Sequence, residues 1–269
     1  MVRVPEWDGR GLPPVAQARV ERFTESGLRT SLLSVPGAVG AEAAGFQPAG
    51  EVMGCVVQRI GWTSMIATTP GQQISTQAAF LREGYRLALA RLRREAAAIR
   101  ADGVLGIALS ITPLDEVMHE FVALGTAVRA QSAQRPGFVF TTELSGPDVG
   151  KLVQAGWVPA KVITGFGAHA LYDYNMQFQT NTWAGNTEVD AHTELVTAIR
   201  SAARAEFAEG VRTAGADGAI VSRMTLDTWR LGEVGVSGVA SVFGTAIARF
   251  HSGVAAPTSA VTLLPLNRS

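Results

Sequence analysis

Met53 and Cys55 carry the softest donor atoms in this chain, and they stand two residues apart around Gly54. In an extended segment that spacing turns both side chains to one face, as a soft metal ion requires of its ligands. Cys55 is the only cysteine, which excludes an intramolecular disulfide and any site needing two thiolates from one chain. Alone it reads as a small buried hydrophobe, and a metal ion enters only if a symmetric assembly gathers several copies of the pair. His169, Tyr172, Asp173 and Tyr174 form the best polar aromatic cluster. A loop that positions such groups binds a small ligand or makes a subunit contact.

Other familiar chemistries lack their residues. His119, His192 and His251 have no spacing that forms a site with one another or with His169. His192 sits among Glu188, Asp190 and Glu194, where a helix scatters the side chains around its axis and a solvated helix start is expected. Gly165 to Ala170 imitates a dinucleotide fingerprint, yet the residues after it, Leu171 to Asn175, have no helical apolar spacing to open a phosphate-binding helix. G-x-S-x-G is absent, and with only Lys151 and Lys161 there is almost no candidate for Schiff-base or P-loop chemistry. No catalytic residue is assigned and no cofactor is expected, a metal ion at Met53 and Cys55 being the one left open.

Composition excludes some partners. Hydrophobic residues make up 47% of the 269 and charged residues 17%, enough apolar material for a packed core. The 23 basic and 23 acidic side chains cancel, so no global field draws the chain to nucleic acid or to an anionic membrane. No apolar run reaches membrane-spanning length. The opening MVRVPEWDGRGLPP has acids and prolines where a signal peptide needs an apolar stretch, and a cytoplasmic location is expected.

The elements that must hold these residues come twice. Thr30-Ser31, Leu33-Ser34, Pro36, Ala44-Gly45-Phe46, Pro48-Ala49 and Gly54 return as Thr141-Thr142, Leu144-Ser145, Pro147, Ala155-Gly156-Trp157, Pro159-Ala160 and Gly165, at a constant offset of 111. Ala101-Asp102-Gly103 answers to Ala216-Asp217-Gly218 at 115, and Gly125-Thr126-Ala127-Val128 to Gly244-Thr245-Ala246-Ile247 at 119. The matched residues are turn and close-packing types, which are hard to replace. Each copy reads as an extended segment before Gly-aromatic-x-Pro-Ala, a strand (Glu51 to Ile60; Lys161 to Thr164 and beyond), a polar loop, a long helix and two further strands (Val104 to Thr112 and Val117 to Arg129; Ala219 to Trp229 and Gly235 to Phe250). The first helix carries Leu81, Tyr85, Ala88, Leu89, Leu92, Ala96 and Ile99 on one face and arginines on the other; the second carries Leu195, Ile199, Ala202, Ala203, Phe207 and Val211. The expected fold is α+β: two homologous repeats, each an antiparallel or mixed β-sheet covered by one long helix. Residues 1–29 form an N-terminal arm with a short helix after Pro13-Pro14, 30–130 the first repeat, 137–250 the second, and 251–269 an apolar C-terminal tail. The second face of each sheet also needs cover. Val236, Val239, Val242 and Phe243, set among glycines and serines, suggest a partner copy as that cover and hence a homo-oligomer.

Arg100 to Ile107 followed by Gly125 to Val128, echoed by Gly215 to Ile220 and Gly244 to Ile247, resembles the YbjQ family of small bacterial proteins, which carries a heavy-metal-binding label. The resemblance implies subunits assembled in a pentameric ring, so five of these chains would bring ten units. Val221 and Ser222 depart from the pattern of Gly106 and Ile107. The expectation is a non-enzymatic, ring-forming scaffold or small-ligand-binding protein. Two alternatives stay open: a metal-binding protein or enzyme whose site forms between subunits, and an adaptor that docks on a partner through the apolar hexamer Val261 to Leu266.

Overall fold

The computed structural model describes residues 7, 11–27, 30–60, 70–132, 135, 137–180 and 185–249. His251 and the hexamer Val261 to Leu266 lie outside the described residues.

Helix α1 (Pro14–Ser26) starts on prolines and ends at Gly27 in the left-handed region, φ 63°. Helix α2 (Val35–Ala43), strand β1 (Phe46–Arg59), the long helix α3 (Pro70–Ala98), and strands β2 (Gly103–Pro113) and β3 (Met118–Ala130) follow. After them come the short β4 (Phe140–Thr141), α4 (Gly146–Gln154), β5 (Trp157–Tyr172), the single-turn α5 (Met176–Gln179), α6 (Asp190–Thr213), β6 (Gly218–Leu231) and β7 (Gly235–Arg249). The fold contains two sheet-and-helix regions. Their sheets run β1-β3-β2-β4 and β5-β7-β6, antiparallel except for the parallel pair β2–β4.

The two regions agree in local detail. Ser34 and Ser145 accept hydrogen bonds from the N–H groups of Gly37 and Asp148 to cap α2 and α4. Gly45 and Gly156 follow those helices, each at φ 81°. A β-carbon on Gly54 would lie 1.8 Å from the Ala88 carbonyl oxygen, and one on Gly165 would lie 2.3 Å from that of Ala203. Both glycines therefore exist to let a long helix cross its sheet at backbone contact. Both middle-strand partners are bulged by one residue, between Leu105 and Ala108 in β2 and between Val221 and Arg223 in β6.

Four layers result. Helix α3 lies on β1 and β3 through Ala88, Leu92 and Ala96, and its other side packs against the second sheet, where Val162, Phe166 and Phe243 join the same core. Helix α6 covers the opposite face of that sheet through Leu195, Ile199, Ala203 and Phe207, with Val242 and Ala246 beneath them. The second sheet is thus closed on both faces from within the chain. Val242 meets α6 and Phe243 meets Tyr85 of α3, so these positions do not await the partner expected from sequence. In the first sheet the face opposite α3 is covered at one end, where Ala41 of α2 and Val149 of α4 pack on Leu105 and Val128, and its other end, around Met53, Cys55, Val122 and Leu124, has no helix over it among the described residues.

Candidate functional site

Strand β1 forms one edge of its sheet, and side chains close that edge. Glu95, 1% exposed, accepts from Arg19 through a two-pronged contact of 2.6 and 2.7 Å and from the Met53 N–H at 3.4 Å. Arg91 donates to the Cys55 carbonyl oxygen. These bonds tie the arm helix α1 to α3 and satisfy strand groups that no neighbouring strand reaches. The side chains of Met53 and Cys55 point away from α3, to the open face, as alternation requires. The Cys55 thiol donates to Glu120 Oε1 at 3.0 Å. Burial, then the Glu120 carboxylate, pushes that thiol up to about 11 from an ordinary 9.0, so at neutral pH it keeps its proton and is a poor nucleophile and a poor metal ligand. Among the described residues no group of three or more His, Cys, Asp and Glu could hold a metal ion.

The residues His169 to Tyr174 do not form a loop. Strand β5 runs on to Tyr172, so the glycines at 165 and 167 lie in mid-strand under α6. His169 and Tyr172 stand on opposite faces by strand alternation. Asp173 accepts from the Asn175 N–H at 2.8 Å to start the turn of α5, and Tyr174 projects into solvent, 76% exposed.

Sequence reasoning missed a cleft of about 590 Å³ between the two regions. Tyr85 stacks on Phe166 and meets Phe121 and Phe243 edge-on, with centroids 5.2 to 5.9 Å apart. Arg223 sits 4.3 Å over the Phe243 ring, and His119 lines the same cleft with a buried Nδ1 that no described residue bonds. Asp227 also lines the cleft, so aromatic faces with a guanidinium, an imidazole and a carboxylate suit a flat small molecule with polar groups. The signal is scattered over α3, β2, β3, β6 and β7, so only the fold assembles it.

The joint between the regions is the most elaborate feature. Residues 140–144 run along the free edge of β2: Phe140 N–H bonds Asp102 O, Thr142 N–H bonds Val104 O, Gly106 N–H bonds Leu144 O and Ile107 N–H bonds Thr142 O, at 3.0 to 3.1 Å. Thr142 and Thr245 hydroxyls meet at 3.0 Å, and Glu143 N–H bonds Thr245 Oγ1 at 3.2 Å. Helix α4 then lies against α2 so closely that a β-carbon on Gly146 would fall 1.9 Å from Gly37 O.

Comparison with known proteins locates part of this architecture. Residues 35–131 match the model of the YbjQ family, described as "Putative heavy-metal-binding", so a YbjQ-like domain occupies the first region. An encapsulin nanocompartment protein of Mycobacterium tuberculosis is 34% identical over 165 residues, 57% of this chain and 60% of that protein. The chain therefore spans less than two thirds of that relative's length.

Proposed function

We propose that this chain is a non-enzymatic subunit of a homo-oligomeric ring, built from two copies of one YbjQ-like unit. The carrying observation is a difference between equivalent sheet faces. Met53, Cys55, Val57, Val122 and Leu124 share the part of a face of the first sheet that no helix covers among the described residues, α2 and α4 lying only over Leu105 and Val128 at its other end, whereas their counterparts Thr164, Phe166, Ala168, Ser241 and Phe243 face α3 and Tyr85. A half-apolar sheet face without a covering layer is a surface for association. The resemblance to the YbjQ family supports five chains to the ring. Mass measurement of the native protein tests the reading: a multiple of 28.3 kDa is expected at micromolar concentration, and a monomer defeats it.

The relative's name favours a second reading, in which the chain works with a protein nanocompartment and is held to it by Val261 to Leu266. Deleting residues 254–269 is then expected to abolish co-purification with the compartment protein and leave the chain's own mass state unchanged.

A further inference from the structure

We infer that successive chains join head to tail by repeating the joint already built inside each chain, with the first region of one copy seated on the second region of the next. This rests on the ring reading above and specifies its interface.

Both halves of the joint recur. The segment that would dock, residues 30–34, has the local shape of 141–145. Leu32 N–H bonds Thr126 Oγ1 at 2.9 Å as Glu143 N–H bonds Thr245 Oγ1, and Leu33 N–H bonds Ser31 Oγ at 3.2 Å as Leu144 N–H bonds Thr142 Oγ1 at 3.0 Å. The segment that would receive it is the outer edge of β6. Asp217 N–H bonds Ile247 O as Asp102 N–H bonds Val128 O, and the carboxylates of Asp217 and Asp102 accept from Arg249 and Ala130 N–H. β2 is covered by 140–144, but no strand among the described residues pairs with the free edge of β6. An open edge beside a matching extended segment is the geometry of strand addition, and a head-to-tail contact of this kind closes into a ring when its rotation allows.

The side chains agree with that placement. Leu109 of β2 is 6% exposed in the shared core, whereas its counterpart in β6, Met224, is 50% exposed. In the internal joint Leu89 of α3 lines a cleft with Val162. At the corresponding places between chains stand Arg204 of α6 and Glu51 of β1, opposite charges with no ion pair described for either. Arg200, which takes the place of Tyr85, would lie over Cys55 and Leu124 and within reach of Glu120. The two joints also differ. Val35 and Val39 replace Gly146 and Gly150, and Val221 replaces Gly106, whose φ is 60°. The α2–α4 contact between chains is therefore wider than the glycine-lined one within a chain, and the Gly106 bond to Leu144 has no counterpart.

Charge exchange tests the joint. Glu51→Arg alone and Arg204→Glu alone are expected to weaken assembly at least tenfold, with circular dichroism unchanged, and the two together to restore it. In a Cys55→Ser background, mixing a Thr30→Cys chain with an Ala219→Cys chain is expected to give an oxidised heterodimer, since the corresponding Thr141 and Val104 are register partners. If the native protein is monomeric, the ring reading fails and this joint with it. If the native protein is oligomeric, then failure of the exchange to rescue, or absence of the cross-link, overturns the joint alone.

Discussion

β2 and β6 hold the same position in their sheets and meet different surroundings. β2 is sealed along its edge by residues 140–144 and buried on its inner side, whereas β6 has an edge that no strand pairs among the described residues and the exposed side chains Val221 and Met224. The faces are reversed: the second sheet is covered twice, by α3 and α6, whereas the first is covered by α3 on one face and, on the other, by α2 and α4 at one end only among the described residues. The surfaces left open are those that the internal joint would cover if it were repeated once more. One asymmetry thus accounts, among the described residues, for both an unpaired edge in the second region and a partly bare face in the first.

The largest effects are expected where the regions agree. Gly54→Ala and Gly165→Ala each force a β-carbon onto a helix carbonyl, at 1.8 and 2.3 Å. Neither helix can retreat without opening its core, and each substitution is expected to cost more than about 3 kcal/mol, read as a shift in the urea midpoint. Because Val162, Phe166 and Phe243 belong to the first core, both variants are expected to melt in one transition. Two separate transitions would mean that the regions fold independently.

Next come the places where the regions differ. Glu95 is the buried anchor of the arm helix, and the place it holds in α3 is taken by Gly210 in α6. Glu95→Ala leaves Arg19, 18% exposed, and the Met53 N–H without their acceptor, with an expected loss of about 3 to 5 kcal/mol. Arg19→Ala added to it is expected to recover part of that loss, because the unpaired charge is then gone. Equal losses for the single and double variants would show that the pair carries no such penalty. The helix caps return to the comparison on a smaller scale. Ser34→Ala and Ser145→Ala each remove an oxygen accepting an N–H bond, at 3.2 and 3.4 Å, and each is expected to cost about 1 kcal/mol by thermal denaturation. A fivefold disparity would break the equivalence of α2 and α4.

Much of this organisation is legible in the sequence because it rests on residues with single uses. Gly54 and Gly165 recur as close-packing positions and the Asp-Gly pairs mark the entry into β2 and β6, whereas the segments capped by Ser34 and Ser145, which read as extended, are the helices α2 and α4. The stripes on α3 and α6 follow from helical period. What could not be read is which face meets which. Periodicity says that Phe243 and Val242 are both apolar, but not that Tyr85, from the other region, lies over one of them. The same limit hid the cleft with Arg223 and His119, whose members come from five elements. His169 to Tyr174 reads as a loop from its polar and aromatic residues, whereas β5 runs on to Tyr172 and the glycines at 165 and 167 serve the passage of α6 over a continuous strand.

The open face gives the last prediction, which concerns reactivity and barely touches stability. Cys55 and its counterpart Phe166 take equivalent places, one on the bare face and one beneath Tyr85. The folded chain holds the Cys55 proton more tightly than the unfolded chain, with a pKa of about 11 against 9.0. Whatever stability this contributes is complete below pH 9.0 and disappears as pH rises through about 11. The measurable consequence is the rate of disulfide exchange with a small aromatic disulfide. In the native protein that rate is expected to climb with a midpoint near 11, and in the urea-unfolded chain near 9.0. A native midpoint at or below the unfolded one would mean that Arg91 and Arg19, which pull the thiol down, outweigh burial and Glu120. The open face would then present a reactive thiolate to whatever docks there.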